Sequence, residues 1–305
     1  MQLSQQSPRL ARFADLMLLL VAMVWGSSYG VAKAALVFYP VCGFLFLRFG
    51  ITFLLLTPSL RHFKTVGMQG LIQGLSLGVL LLAIFLSETF GVTLTRASNA
   101  AFLISLCVVL TPFAEWLLLA RRPAQIELAA AALALFGAYL LTVGASGEHI
   151  QLNAGDGLIV LAAGLRALLV CMTKRFTRQT AMPTLTLTAL QAGVVAIGSL
   201  AVGIAIQPAA LLHRLPHQAI FWAYLAYMVL CCTVFAFFVQ NYGLRHRSPT
   251  RVALLMGSEP AFGAVFASLW LHEILTPLGW AGGALMMLAA LSAVLPVRAP
   301  QLAVG

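Results

Sequence analysis

Five ionisable side chains lie inside long apolar runs of the chain: Arg48, Glu88, Glu115, Arg166 and Glu259. A charge held at the middle of a hydrocarbon layer costs at least about 2.5–3.5 kcal/mol, so such a group faces a cavity or an opposite charge. The chemistry on offer is recognition and proton uptake. A guanidinium presents a planar fork suited to a carboxylate, and a buried carboxylate can accept a proton or hold a cation. Arg48 and Glu259 have a structural alternative, pairing with each other or with helix ends. Glu115 has one too, reaching along the chain to Arg121 and Arg122. Trp25 and Tyr29 are spaced i, i+4 and share a helical face with Gly26 and Ser28 nearby. A mixed aromatic and hydroxyl face suits a pocket better than lipid. The stretch "LSETFGVTLTRASNAAFLISL" adds Glu88, Arg96 and Asn99, which read either as the polar lip of a cavity or as a solvated helix end.

Covalent chemistry finds little support. Gly74-Leu75-Ser76-Leu77-Gly78 spells the G-x-S-x-G nucleophile elbow, but that motif needs a strand, a turn and a helix, and here it sits within an apolar helical run. Gly70, Gly74 and Gly78 instead form a smooth stripe for close helix packing, a device repeated at Gly26/Gly30 and Gly279/Gly283. The chain contains no phosphate-binding loop, dinucleotide fingerprint or H-E-x-x-H. Cys42, Cys107, Cys171, Cys231 and Cys232 lack CxxC or metal-ligand spacing and read as small packing residues. No catalytic residue, metal site or cofactor is expected.

The elements that must position the charges follow from composition. With 61% hydrophobic and 9% charged residues and a mean hydropathy of +0.98, the 305-residue chain is far from a soluble domain. Apolar windows of about 20 residues, each long enough to span a bilayer, centre near Met23, Arg48, Gly78, Val109, Ala134, Gly164, Val195, Leu230, Ala261 and Met286. Lipid cannot satisfy open backbone groups, so each must be a helix. The net charge of +10 is unevenly spread. Basic residues gather in alternate connectors: Arg9 and Arg12; Arg61 and Lys64; Arg121 and Arg122; Lys174, Arg175 and Arg178; Arg245, Arg247 and Arg251; Arg298. The other connectors hold Lys33, Arg96 and Arg214, with Glu148 and Asp156. That distribution predicts both termini in the cytoplasm of an inner or plasma membrane and accounts for the charge without nucleic acid. Arg9 and Arg12 before an apolar run resemble a signal peptide, yet the run continues to about Ala35, long enough for a retained first span. The expected partners are a small-molecule substrate and the lipid bilayer, with a homodimer left open.

A shift of 141 residues lays the first span on the sixth, so that Asp15 meets Asp156, Ala22 meets Ala163 and Lys33 meets Lys174. A shift of 152 aligns Glu88 with Gln240, Thr89 with Asn241, Phe90 with Tyr242, Gly91 with Gly243 and Ala101 with Ala253. Five spans per half is an odd number, so the halves enter the membrane in opposite directions. Inverted repeats of this kind build transporters, with the substrate site near mid-membrane where the halves meet. The polar connector "SGEHIQLNA" divides the chain into residues 1–147 and 148–305.

The motifs "VWGSSYGVAK", "LRFG" and "RASNAAFLISL" in the first half, and "LLMGSEPAFGAVFASLWLHE" with "LGWAGGALMML" in the second, resemble the EamA-type transporters of the drug/metabolite transporter superfamily. The resemblance covers about residues 14 to 296. It implies an all-α integral membrane protein of ten transmembrane helices in two inverted five-helix repeats around a central cavity, exporting or exchanging small metabolites. Without a nucleotide-binding motif, uphill transport must borrow an ion gradient or exchange solutes. The substrate-facing candidates are Trp25, Ser28, Tyr29, Arg48, Glu88, Asn99, Arg166, Gln240, Asn241 and Glu259. Arg166 departs from the pattern, standing at the counterpart of Trp25, and needs an anion there: a protein carboxylate such as Glu259, or the acid group of a substrate. The second choice favours an amino-acid-like or organic acid solute, with cationic drugs or, further off, intramembrane enzymology as alternatives.

Overall fold

The computed structural model describes residues 8–294 apart from 66, 96, 147–152, 181, 207, 209–214 and 271–274. Arg96 and most of the 146–154 connector therefore lie outside the described residues, as do the side chains of Tyr29 and Asn99. Among the described residues every regular element is helical. In chain order these are α1 (Pro8–Leu36), α2 (Val41–Leu56), α3 (Gly67–Leu94), α4 (Ala97–Ile104), α5 (Leu106–Leu119), α6 (Gln125–Ser146), α7 (Ala154–Gln179) and α8 (Thr184–Ile206). Then come α9 (Ala219–Val229), α10 (Ala236–His246), α11 (Pro249–Met256), α12 (Glu259–Trp270) and α13 (Pro277–Val294).

A helix occupies each of the ten apolar windows. Eight helical stretches are long and apolar enough to cross a membrane, and a shorter apolar helix covers Pro277–Ala293. Three windows are not continuous α-helix, contrary to the simplest reading of the sequence. The fourth breaks at Ser105, where α4 gives way to α5 through i→i+3 bonds from Ser105 N to Phe102 O and from Val108 N to Ser105 O, both 3.0 Å. The eighth contains a π-helical turn, Leu230–Phe235, between α9 and α10. The ninth breaks at Gly257–Ser258, just before Pro260, whose ring nitrogen cannot donate to the preceding turn.

The first and second halves pack intimately, α6 on α13, α3 on α7, α2 on α8 and α1 on α12. Two of these contacts demand glycine. A methyl added at Gly26 would come within 2.6 Å of the Glu259 carbonyl and the Gly263 nitrogen, and one at Gly137 within 2.7 Å of the Gly282 carbonyl. At both crossings backbone lies almost on backbone, which gives dispersion contact where lipid removes any hydrophobic drive. The Gly70/Gly74/Gly78 stripe behaves likewise, Gly74 meeting Leu190 and Gly78 meeting Val194 on α8. Ser76 in that stripe donates to the Gln73 carbonyl of its own helix at 2.9 Å and is exposed, which is no nucleophile's setting.

One end of the bundle is held by ions. Asp15, 1% exposed at the start of α1, accepts from Arg247 at 2.9 and 2.6 Å and from Arg251 at 3.2 and 2.7 Å. Beside it Glu115 reaches Arg121, as its position suggests, at 3.1 Å. Its other oxygen accepts from Thr250 N (2.9 Å) and Oγ1 (2.6 Å), capping the first turn of α11. Arg121 also pairs with Glu127 at 2.7 Å. Burial alone would lower its pKa, but the hydrogen bond to Glu127 and the charge of Glu115 outweigh that and raise it above the ordinary guanidinium value. Arg122 lies instead over the Trp116 ring, 5.9 Å from its centroid.

Candidate functional site

A cavity of about 1270 Å³, counting its open mouth, lies between the halves. Its wall is mostly apolar, from Phe44, Leu81, Phe85, Leu169, Met228 and Phe237. It extends to Lys33, Leu36 and Val92 at the ends of α1 and α3 farthest from Asp15, and Lys33 is exposed there. At the other end it stops at Gln240, Val252 and Ala253, beyond which lies the Asp15–Arg247–Arg251 cluster.

Seven of the ten residues singled out from sequence line this cavity: Trp25, Ser28, Arg48, Glu88, Arg166, Gln240 and Glu259. Asn241 is a correction: it is absent from the cavity wall, 2% exposed, and bonds to Thr188 Oγ1 at 3.1 Å and Gln191 Oε1 at 3.0 Å on α8. Neighbouring residues on a helix are rotated by about 100°, so Gln240 and Asn241 point to different surroundings.

The charged centre is a triad. Arg166 on α7 places one Nη2 between both oxygens of Glu88 on α3, at 3.1 and 2.9 Å, while Nη1 stands 3.5 Å from Glu259 on α12. The Arg166 guanidinium also lies 5.5 Å from the centroid of the Trp25 ring. The positions matched by the 141-residue shift thus meet in the cavity. The sequence-based alternative of a protein counter-ion for Arg166 is present, and Glu88 is the nearer partner.

Arg48 on α2 is arranged differently. Its Nε donates to Thr233 Oγ1 at 2.7 Å and its Nη2 to the Cys232 carbonyl at 3.3 Å, both in the π turn. Pairing of Arg48 with Glu259 does not occur in the structure; Glu259 turns to Arg166. Phe49 and Phe85, their ring centroids 4.7 Å apart, lie together on one side of the Arg48 guanidinium, each centroid 5.2 Å from it. Trp25 Nε1 donates to the same Cys232 carbonyl at 2.9 Å, and Thr233 Oγ1 donates to the Met228 carbonyl at 2.7 Å. The π turn therefore gathers an indole and a guanidinium from the first half onto one turn of the second, a use typical of such bulges at working sites.

Sequence reasoning missed Ser105, Thr111, Thr89 and the Gly257 break, all of which line the cavity. The available signal was the 152-residue shift, which carries Ser105 onto Gly257 and so pairs the two helix breaks. Among the described residues no three His, Cys, Asp or Glu side chains cluster as a metal site requires.

The cavity and its charges sit among helices long and apolar enough to cross a membrane. The EamA-like transporter family matches residues 12–143 and again residues 153–295. A protein of Archaeoglobus fulgidus described as an uncharacterized transporter is 29% identical over 286 residues, spanning 91% of this chain and 84% of its own. A solved crystal structure superposes with a TM-score of 0.74 at 16% identity, covering 92% of this chain and 96% of that one, which establishes the shared fold. Both halves carry the family's pattern, and neither the match nor the relative points to an enzyme: the protein belongs to the EamA-like transporter family.

Proposed function

We propose that this transporter is a secondary one, moving amino-acid-like or organic acid solutes by alternating access through the central cavity. The observation that carries the reading is the Glu88–Arg166–Glu259 triad in that cavity, between helices of both halves. The cavity wall carries cations (Lys33, Arg48, Arg166) and carboxylates (Glu88, Glu259) together, so it offers complementary charge to both ends of a zwitterion. Its carboxylates can take up a proton, which would supply coupling without nucleotide. The apolar wall and the Trp25 ring would cover an aliphatic or aromatic side chain.

The same reading takes ten spans in two inverted halves, residues 1–147 and 148–305, in an inner or plasma membrane. The two family matches support the division, and the contact of Arg166 with Trp25 supports the two-fold relation. The basic residues gathered at the Asp15 end support a cytoplasmic position for it, and on that reading the cavity faces outward. A cysteine placed at Ser146 should react with an impermeant reagent from outside; labelling only from inside overturns the topology.

Uptake by purified protein in proteoliposomes tests the function. Amino acids should enter faster under an imposed pH gradient than without one. Equal rates would replace proton coupling by exchange or facilitated diffusion. A cationic drug carried in preference to any acid would move the assignment to the multidrug alternative.

A further inference from the structure

We propose that Arg48, rather than Arg166, seats the carboxylate of the transported solute. The assignment rests on the acid-solute reading above and sharpens it to a zwitterion held at two points.

Arg48 is 5% exposed, lines the cavity and lies midway along the second span. Its two hydrogen bonds go to uncharged acceptors, Thr233 Oγ1 and the Cys232 carbonyl. Among the described residues no carboxylate oxygen comes within ion-pair distance of Arg48, while Glu88 and Glu259 in the same cavity both pair with Arg166. Nη1 makes no hydrogen bond to a described residue and is not among the buried orphaned atoms, so it is left for the cavity. A buried guanidinium cannot lose its proton to escape the cost of its charge, and neutral oxygens offset that cost only in part. An anion arriving in the cavity completes the compensation.

The fork is also fixed in advance. Phe49 and Phe85 pack together against one side of it, and its acceptor Thr233 is itself tied to the Met228 carbonyl. Little side-chain entropy remains to be lost when a carboxylate docks, which is the condition for tight binding to a small polar group.

Arg166 offers the opposite. Both its Nη groups face carboxylates, at 2.9 Å to Glu88 and 3.5 Å to Glu259. A solute carboxylate approaching it would have to displace one of them and would meet the charge of both. The triad repels acids and attracts ammonium. Arg48 and the triad thus form a cationic and an anionic pole of one cavity, the arrangement that recognises an α-amino acid and rejects its amide at one pole and its deaminated acid at the other.

The test measures binding to purified full-length protein in detergent for a panel of amino acids, each beside its amide, with wild type, Arg48→Gln, Arg48→Lys and Arg166→Lys. Wild type should prefer acid over amide. Arg48→Gln should weaken acid binding by about tenfold to a hundredfold, the scale of a charge-assisted pair, and leave amide binding unchanged. If Arg48→Gln does not fold, Arg48→Lys carries the test: it keeps the charge but not the fork, and acid affinity should still fall while the amide's does not. A folded Arg48→Lys protein with undiminished acid affinity overturns the assignment, as does an acid preference abolished by Arg166→Lys but retained in the Arg48 variants. Wild type that binds acid and amide alike overturns the acid-solute reading itself.

Discussion

Two arginines face one cavity and are compensated in opposite ways. Arg166 is neutralised by full charges, Glu88 and Glu259, brought from α3 and α12. Arg48 is held by a hydroxyl, a backbone carbonyl and two aromatic rings. The difference separates what a charge does for the fold from what it does for a solute. An ion triad spanning three helices ties them together: removing its centre takes from two carboxylates the guanidinium they share. A guanidinium held by neutral groups has charge to spare, and its removal leaves only ordinary hydrogen-bonding groups behind.

The largest expected effect tests that contrast directly. Arg166→Gln should destabilise the protein by about 3–5 kcal/mol, because it removes the buried charge that Glu88 and Glu259 share, and should show as a lowered melting temperature in detergent. Adding Glu88→Gln to it should restore much of the loss. If Arg48→Gln lowers the melting temperature as far as Arg166→Gln, the contrast collapses and both arginines are structural.

A smaller effect ranks the two carboxylates. Glu88 meets Arg166 through both oxygens, Glu259 through one at 3.5 Å. Glu88→Gln should therefore cost more than Glu259→Gln, on the order of 1–2 kcal/mol against less than about 1. The reverse order would mean that the Glu259 contact shortens in a state other than this one. Thr233→Val comes next: it removes the Nε acceptor of Arg48 but not the charge, so about 1 kcal/mol of stability should go while the preference for acid over amide persists. Loss of that preference would show that positioning, not charge, does the recognising. The smallest effect is at Ser76, where Ala should change neither melting temperature nor uptake; a loss of either would mean its hydroxyl does more than bond to the Gln73 carbonyl.

Much of this site was legible before any coordinates. A charge in an apolar run announces itself, and the 141-residue shift already placed Arg166 opposite Trp25. Asn241 was misread because the 152-residue shift matched it to Thr89 by position while helical rotation turns it from the cavity toward α8. The partners of Arg48 were invisible for a different reason. Its strongest anchors are a backbone carbonyl, which every residue has, and a threonine presented by a π turn that no periodicity betrays. The ninth window carries Gly257, Ser258 and Pro260 at its break, a signal the sequence reading did not use, whereas Ser105 breaks the fourth without a proline or glycine to mark it.

The cluster at Asp15 bears on thermodynamics rather than architecture. Its carboxylate takes four N–H bonds from Arg247 and Arg251, which opening the cavity on this side would have to part. On the alternating-access reading the two faces are then unequally populated at rest, each 1.4 kcal/mol of bias shifting the ratio about tenfold. A solute approaching from the Asp15 side meets only the minority of molecules open to it, and its apparent Kd is raised by the reciprocal of that fraction. One site with one intrinsic affinity would thus look weak from one side of the membrane and strong from the other.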